Sequence, residues 1–237
     1  AYQLLMMPIS NLRNPMNSVA MPALSRLQHE PEKYRDYYLK CVALLAFISL
    51  PLVAFMFVCS DQLITLLLGS QWLGASELFK ILAFAAFIQP VSSTRGMVMV
   101  STGQSRLYLK LGLINSVFIC LSFVVGLPWG AKGVATGYAI VSYVLLVPML
   151  FYSFKNTAVN VKDFFLAIIM PLIASVIMAL GCFGVLIYTV SLNVFYVLIV
   201  GFLSSTLIYL LVFSVLPGGL IALREYVSYG RLVLTKK

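Results

Sequence analysis

Residues 39–59 read LKCVALLAFISLPLVAFMFVC, with one charged side chain, Lys40, at the edge and one proline, Pro51, inside. A bilayer's hydrocarbon core, about 30 Å thick, is crossed by roughly 20 mainly apolar residues in a helix. This stretch meets that requirement, and working outward from it six others meet or approach it: about 1–25, 78–100, 107–127, 132–154, 163–188 and 193–216. The expected fold is therefore all-α, a polytopic transmembrane helix bundle of about seven spans within 1–219. The stretch 220–237, where Arg224, Glu225, Arg231 and Lys236 interrupt apolar residues, reads as an interfacial amphipathic tail.

Composition excludes the main alternative. The 237 residues are 62% hydrophobic and only 10% charged, against about 25% charged in an ordinary soluble domain. The formal charge of +9 does not imply nucleic acid, because the basic residues are scattered between apolar stretches, as in membrane proteins. The four cysteines, Cys41, Cys59, Cys120 and Cys182, lie in or beside apolar stretches without a CxxC pair or a neighbouring histidine. They indicate packing rather than a metal or redox site. His29 stands alone in a polar loop. No GxxxxGK[ST] loop occurs, so no nucleotide, metal or other cofactor is expected.

The connections suggest an orientation. The charged loop 25–36, the turns Arg106–Lys110 and Lys155–Lys162, and the tail with Arg224, Arg231, Lys236 and Lys237 fall on one side. Lys80, Lys132, Asp61, Glu77, Trp72 and Trp129 fall on the other. By the positive-inside rule the arginine-rich side is cytoplasmic, which puts Ala1 outside and Lys237 inside; indole rings suit the outer headgroup level. Ala1 opens the chain without an initiator Met or a basic leader, which reads as a piece of a longer protein.

Arg13 is the most informative residue. It lies mid-span with Asn11, Asn14 and Asn17 about one turn away. Placing arginine at a helix centre in a bilayer costs about 2.5–3.5 kcal/mol on the insertion scale, so Arg13 is expected to face a polar cavity or a partner. Arg95 follows the Pro90 kink in Gln89-Pro90-Val91-Ser92-Ser93-Thr94-Arg95; a cavity role and snorkelling to the interface both fit it. Asn115 suits either an interhelical hydrogen bond or a ligand contact. Lys110 fits a topology signal beside anionic lipid, and Tyr34, Tyr37 and Tyr38 an interfacial belt. Gly133 and Gly137 form a small-xxx-small face for close helix approach. No Asp or Glu lies mid-span, where proton- and cation-coupled carriers place a relay. Guanidinium and amide groups instead suit phosphate and sugar hydroxyls.

Two motifs carry a family resemblance. Asn14-Pro15, Met21-Pro22-Ala23-Leu24-Ser25-Arg26-Leu27-Gln28 and Glu32-Lys33-Tyr34-Arg35 precede a hydrophobic helix. Leu66-Leu67-Leu68-Gly69-Ser70-Gln71-Trp72, with Ala75 and Leu78–Leu82, opens the next. Together they resemble the Wzx-like polysaccharide transporters of the multidrug/oligosaccharidyl-lipid/polysaccharide exporter superfamily. The resemblance implies 12 to 14 helices in two pseudo-symmetric lobes, of which this chain is the C-terminal portion, with the N-terminal half absent. It also implies a lipid-linked oligosaccharide as substrate partner, membrane lipid as surroundings, and flipping across the bacterial inner membrane without enzymatic chemistry. A drug exporter of the same superfamily is the alternative, favoured by a mid-span carboxylate elsewhere in the whole protein. A glycan polymerase fits less well: the connection 60–77 holds only Asp61 and Glu77, without a DxD or metal-ligand cluster.

Overall fold

The structure is a computed structural model that describes residues 2–189 and 193–234. Ala1, Lys236 and Lys237, which carry the expectations about the chain's two ends, lie outside the described residues. All regular secondary structure among the described residues is helical. In chain order the helices are α1 (Tyr2–Arg26), α2 (Pro31–Val58), α3 (Ser60–Leu68), α4 (Gly74–Ala86), α5 (Gln89–Ser92), α6 (Arg95–Ser101), α7 (Ser105–Gly126), α8 (Gly130–Phe154), α9 (Val161–Tyr188), α10 (Val194–Val215) and α11 (Gly219–Leu234). The chain is thus an all-α, multi-pass membrane bundle.

Five stretches are long and apolar enough to cross a bilayer: Pro31–Val58, Gly74–Ser101, Ser105–Phe154, Val161–Tyr188 and Val194–Val215. The third is the hairpin of α7 and α8, so it supplies two passes. Helix α1 has the length but is not among these stretches, because Asn11, Arg13, Asn14 and Asn17 lower its apolarity. Helix α2 begins eight residues before the apolar run that signals it. Pro31 at its first position and Glu32 in its first turn start the helix in polar surroundings.

Many large apolar side chains face outward, Leu109, Val125, Val144 and Leu180 among them, as expected where lipid is the solvent. Inside, Tyr34, Tyr38, Val42, Ala46 and Leu50 of α2 form the main core with Phe154, Phe164 and Ile168 from α8 and α9. The α2–α9 pair is held at both ends. Arg35 makes a two-point contact with Asp163, Nε donating to Oδ2 at 2.9 Å and the guanidinium lying 2.9 Å from Oδ1. At the other end the buried thiols of Cys59 and Cys182 lie 4.0 Å apart. Also at that end Lys80 pairs with Asp61 at 2.8 Å, and Lys132 pairs with Glu77. Burial works against the Asp61 carboxylate, but hydrogen bonds from Lys80 and Ser76 and the Lys80 charge outweigh it, holding its pKa below the usual range.

The α7–α8 hairpin closes on glycine. A Cβ on Gly137 would sit 2.9 Å from the Ser122 carbonyl oxygen, and one on Gly133 would overlap the Gly126 carbonyl and the Trp129 side chain. The small-xxx-small face therefore serves contact within the bundle. Gly133→Val is expected to destabilise the protein by about 1–3 kcal/mol through overpacking. Gly112→Ala, where an added Cβ meets nothing within 4 Å, should be near neutral. Thermal unfolding in detergent, followed by size-exclusion recovery, measures both.

Candidate functional site: a polar cavity inside the bundle

The apolar stretch Gly74–Ser101 is not one continuous helix. Phe87–Ile88 and Ser93–Thr94 are non-helical, dividing it into α4, α5 and α6. Pro90 has no N–H to donate to the preceding turn and its ring crowds that turn's carbonyl. Such a break survives in a membrane only where neighbours re-satisfy the backbone. Here Tyr143 Oη donates to the Phe84 carbonyl at 2.9 Å, Ser93 Oγ to the Pro90 carbonyl at 2.6 Å, and Thr94 Oγ1 to the Val91 carbonyl at 2.7 Å. The buried Tyr38 hydroxyl shares a 2.9 Å hydrogen bond with Thr94 Oγ1, tying the break to α2.

The break turns a run of polar side chains toward α1, α7 and α8. A cavity of about 220 Å³ results, lined on its polar side by Arg13, Gln89, Ser92, Ser93, Arg95, Asn115, Tyr138 and Ser142. Gln89 Nε2 donates to Tyr138 Oη at 2.9 Å and so fixes one wall. Arg13 Nε is buried and makes no hydrogen bond. Glu30, Asp61, Glu77 and Asp163 are engaged in ion pairs with other partners, and neither Arg13 nor Arg95 enters one of these. No cluster of His, Cys, Asp or Glu suited to a metal occurs among the described residues. Two guanidinium groups, amides and hydroxyls without a carboxylate make a donor-rich site for an anion, with phosphate matched by guanidinium geometry.

Of the residues singled out from sequence, Arg13, Arg95 and Asn115 converge on this cavity. Asn11, Asn14 and Asn17 do not line it. Asn11 and Asn14 are exposed, together with Met7, Pro15, Ser18, Pro22 and Ser25, along one face of α1. The opposite face buries Leu5, Ile9, Ala20 and Leu24. Helix α1 therefore exposes Asn11, Asn14, Ser18 and Ser25 among Met7, Pro15, Val19 and Pro22, and Arg13, four residues after Ile9, lies on the buried face. Tyr138 and Ser142 escaped notice in the sequence, although two polar residues at i and i+4 in an apolar helix mark one face.

At one end of the bundle a second polar recess brings together Gln28 and His29, Thr102 and Gln104, and Asn156 and Thr157. Three loops, after α1, α6 and α8, thus share that end.

With this geometry the chain is a multi-pass membrane helix bundle with a polar cavity inside it. A solved structure of a lipid II flippase (MurJ, inward closed conformation) superposes with a TM-score of 0.69 at 19% identity, covering 93% of this chain and 47% of that one. At that identity the likeness is one of fold. In sequence, residues 1–77 match a family model described as polysaccharide biosynthesis protein. The teichuronic acid biosynthesis protein TuaB of Bacillus subtilis (strain 168) is 27% identical over 191 residues, 78% of this chain and 38% of that protein. The lipopolysaccharide biosynthesis protein WzxC of Escherichia coli (strain K12) is 21% identical over 165 residues, 66% of this chain and 34% of that protein. The chain thus spans little more than a third of the length of these curated relatives. It resembles the Wzx-like polysaccharide transporters in sequence, as its two motifs indicate, and a flippase in fold.

Positive charges buried along one cavity without an acidic partner oppose folding through lost solvation. Arg13→Met and Arg95→Met are each expected to raise stability by about 0.5–2 kcal/mol, the pattern of a site kept for function at the expense of stability. Thermal unfolding in detergent checks this; a clear drop in midpoint for both variants would indicate internally satisfied, structural arginines.

Proposed function

We propose that the protein is a flippase that moves an undecaprenyl-diphosphate-linked oligosaccharide across the bacterial inner membrane, serving O-antigen, capsule or exopolysaccharide synthesis. The observation that carries this reading is the pair Arg13 and Arg95 in a polar cavity within apolar helices, with Arg13 Nε buried and without a hydrogen bond. An arginine in hydrocarbon is tolerated where it looks into water or onto a counter-charge, and a diphosphate supplies that charge in matching geometry. The Asn115 amide adds a donor and an acceptor, and Ser92, Ser93 and Ser142, whose hydroxyls donate to backbone carbonyls, offer acceptor lone pairs suited to the hydroxyls of the first sugar.

The exposed polar residues of α1 support the same reading. Asn11, Asn14 and Ser18 along an exposed helix face are poorly suited to lipid. They suit a water-filled passage shared with a second lobe, which would hold the remaining sugars while Asn17 helps position α1. The relatives' greater length supports such a lobe, which this reading puts on the N-terminal side. Two lobes rocking about a midplane site is the alternating-access scheme of carriers with internal repeats. The loops at the arginine-rich end would be cytoplasmic. The protein moves its substrate without changing its bonds; it is a transporter rather than an enzyme. The names of the relatives, one in teichuronic acid and one in lipopolysaccharide biosynthesis, support a glycan cargo over a drug-like one.

In cells whose only copy of the intact protein carries Arg13→Ala, surface polysaccharide is expected to fall at least tenfold while membrane insertion and protein level are unchanged. Arg13→Lys should restore part of the output, since it keeps the charge and loses the fork. Normal polysaccharide from a fully inserted Arg13→Ala protein would remove the cavity from the mechanism.

A further inference from the structure

The frame around the cavity carries reactive groups that transport does not use. Cys59 and Cys182 are 123 residues apart in sequence, yet their sulfurs lie 4.0 Å from each other and both residues are fully buried. Both are thiols in the structure. Cys59 is the residue between α2 and α3, where the helical path is interrupted at φ −91° and ψ 21°. Cys182 stands within the last two turns of α9, which ends at Tyr188. Helix α10 covers the pair. The Gly201 carbonyl oxygen lies 4.0 Å from Cys182 Sγ, and a Cβ on Gly201 would sit 3.6 Å from Cys59 Sγ. Phe55, Leu186, Val197 and Leu198 pack around the two thiols. One turn beyond Gly201, the Ser205 hydroxyl is buried next to Cys182 and makes no hydrogen bond.

We infer that Cys59 and Cys182 are a modification site, joined by a disulfide that staples α2 to α9 at the outer end of the bundle. This rests on the orientation given above, which puts the arginine-rich end in the cytoplasm and Cys59 next to the extracytoplasmic side, where thiols are oxidised. A disulfide needs its sulfurs about 2.05 Å apart, and two thiols already in contact close such a gap by swinging about their Cα–Cβ bonds. The oxidant is the disulfide of an extracytoplasmic thiol oxidase. Cys59, nearer the helix end, attacks one sulfur of that disulfide as a thiolate, forming a mixed disulfide and expelling the oxidase's other thiolate. The Cys182 thiolate then attacks Cys59 Sγ, and the oxidase's second thiolate leaves. The oxidase gains two electrons and the two protons shed by Cys59 and Cys182. A thiolate in an apolar pocket needs a hydrogen-bond donor, and the Ser205 hydroxyl has one to give. Because α10 follows α9 in the chain, the thiols can meet and react before α10 closes over them. The staple mirrors the Arg35–Asp163 clamp at the opposite end of the same helix pair. It holds the frame without entering the transport step.

The full-length protein in its native membranes is denatured in detergent with excess N-ethylmaleimide, digested and analysed by mass spectrometry. Peptides joined through Cys59 and Cys182 are expected in most molecules, with Cys41 and Cys120 carrying maleimide. Cells grown with dithiothreitol should yield the same protein with all these thiols labelled. The linked form should unfold about 3–8 °C above the reduced form. Cys59→Ala and Cys182→Ala should each unfold at one temperature, whichever way the cells were grown. Identical unfolding of the two wild-type preparations would reduce the pair to packing and overturn the staple, as would maleimide on both Cys59 and Cys182 in protein from untreated cells. Orientation is read separately, in protein whose native cysteines are replaced by alanine. There Trp72→Cys, at an exposed position after α3, should react with a membrane-impermeant maleimide from outside. Reaction of Trp72→Cys from outside, with free Cys59 and Cys182 in the wild type, would sink the staple alone. Reaction only from the cytoplasmic side would overturn the orientation on which the staple rests.

Discussion

A guanidinium in a hydrocarbon slab has to be answered by something, and in this bundle the answer does not come from a carboxylate. The ion pairs of Glu30, Asp61, Glu77 and Asp163 use carboxylates at or beside the helix ends, and Arg13 and Arg95 face the same cavity without sharing one of them. The remaining ways of offsetting that cost are water and a mobile anion. Either requires an open polar space inside the helices, and the space exists.

The space is made by giving up helix. Continuing α4 smoothly to Ser101 would have kept the polar run near Arg95 in register with the apolar face of the same helix. Pro90 interrupts it, two short non-helical steps re-aim Gln89, Ser92, Ser93 and Arg95, and hydroxyls from α8 and the break itself satisfy the freed carbonyls. The rest of the bundle then acts as a frame. The α2–α9 pair is bound at one end by Arg35 and Asp163 and packed at the other around Cys59 and Cys182. The α7–α8 hairpin is drawn together by glycines that leave no room for a side chain. Rigid surroundings of this kind let a charge-bearing site keep its shape while empty.

Much of this was legible from residue order. The apolar stretches gave the helical class and the membrane, since no other solvent accommodates so many exposed Leu, Val and Phe side chains. The Arg13 argument found one wall of the cavity, because the cost of intramembrane charge is local and can be read from one residue. The Asn residues around Arg13 separated for the opposite reason. Nearness along a helix does not mean a shared face, and Asn11 and Asn14 turn outward while Arg13 turns in. Tyr138 and Ser142 remained hidden because a tyrosine and a serine are ordinary in membrane helices; only the partner across the cleft, Gln89, gives them a role. The division into α4, α5 and α6 was signalled by Pro90, but which side chains it re-aimed depended on the packing of α1, α7 and α8.

The most direct measurement is water access to the cavity wall. In an intact protein with its native cysteines replaced by alanine, Ser142→Cys would be exposed in membrane vesicles to a charged, membrane-impermeant methanethiosulfonate. The account predicts that Cys at this position is modified from at least one side of the membrane and is protected by a polyprenyl-diphosphate-linked oligosaccharide. A thiol that stays unmodified from both sides, in a protein that still supports polysaccharide export, would show a dry interior and contradict the account.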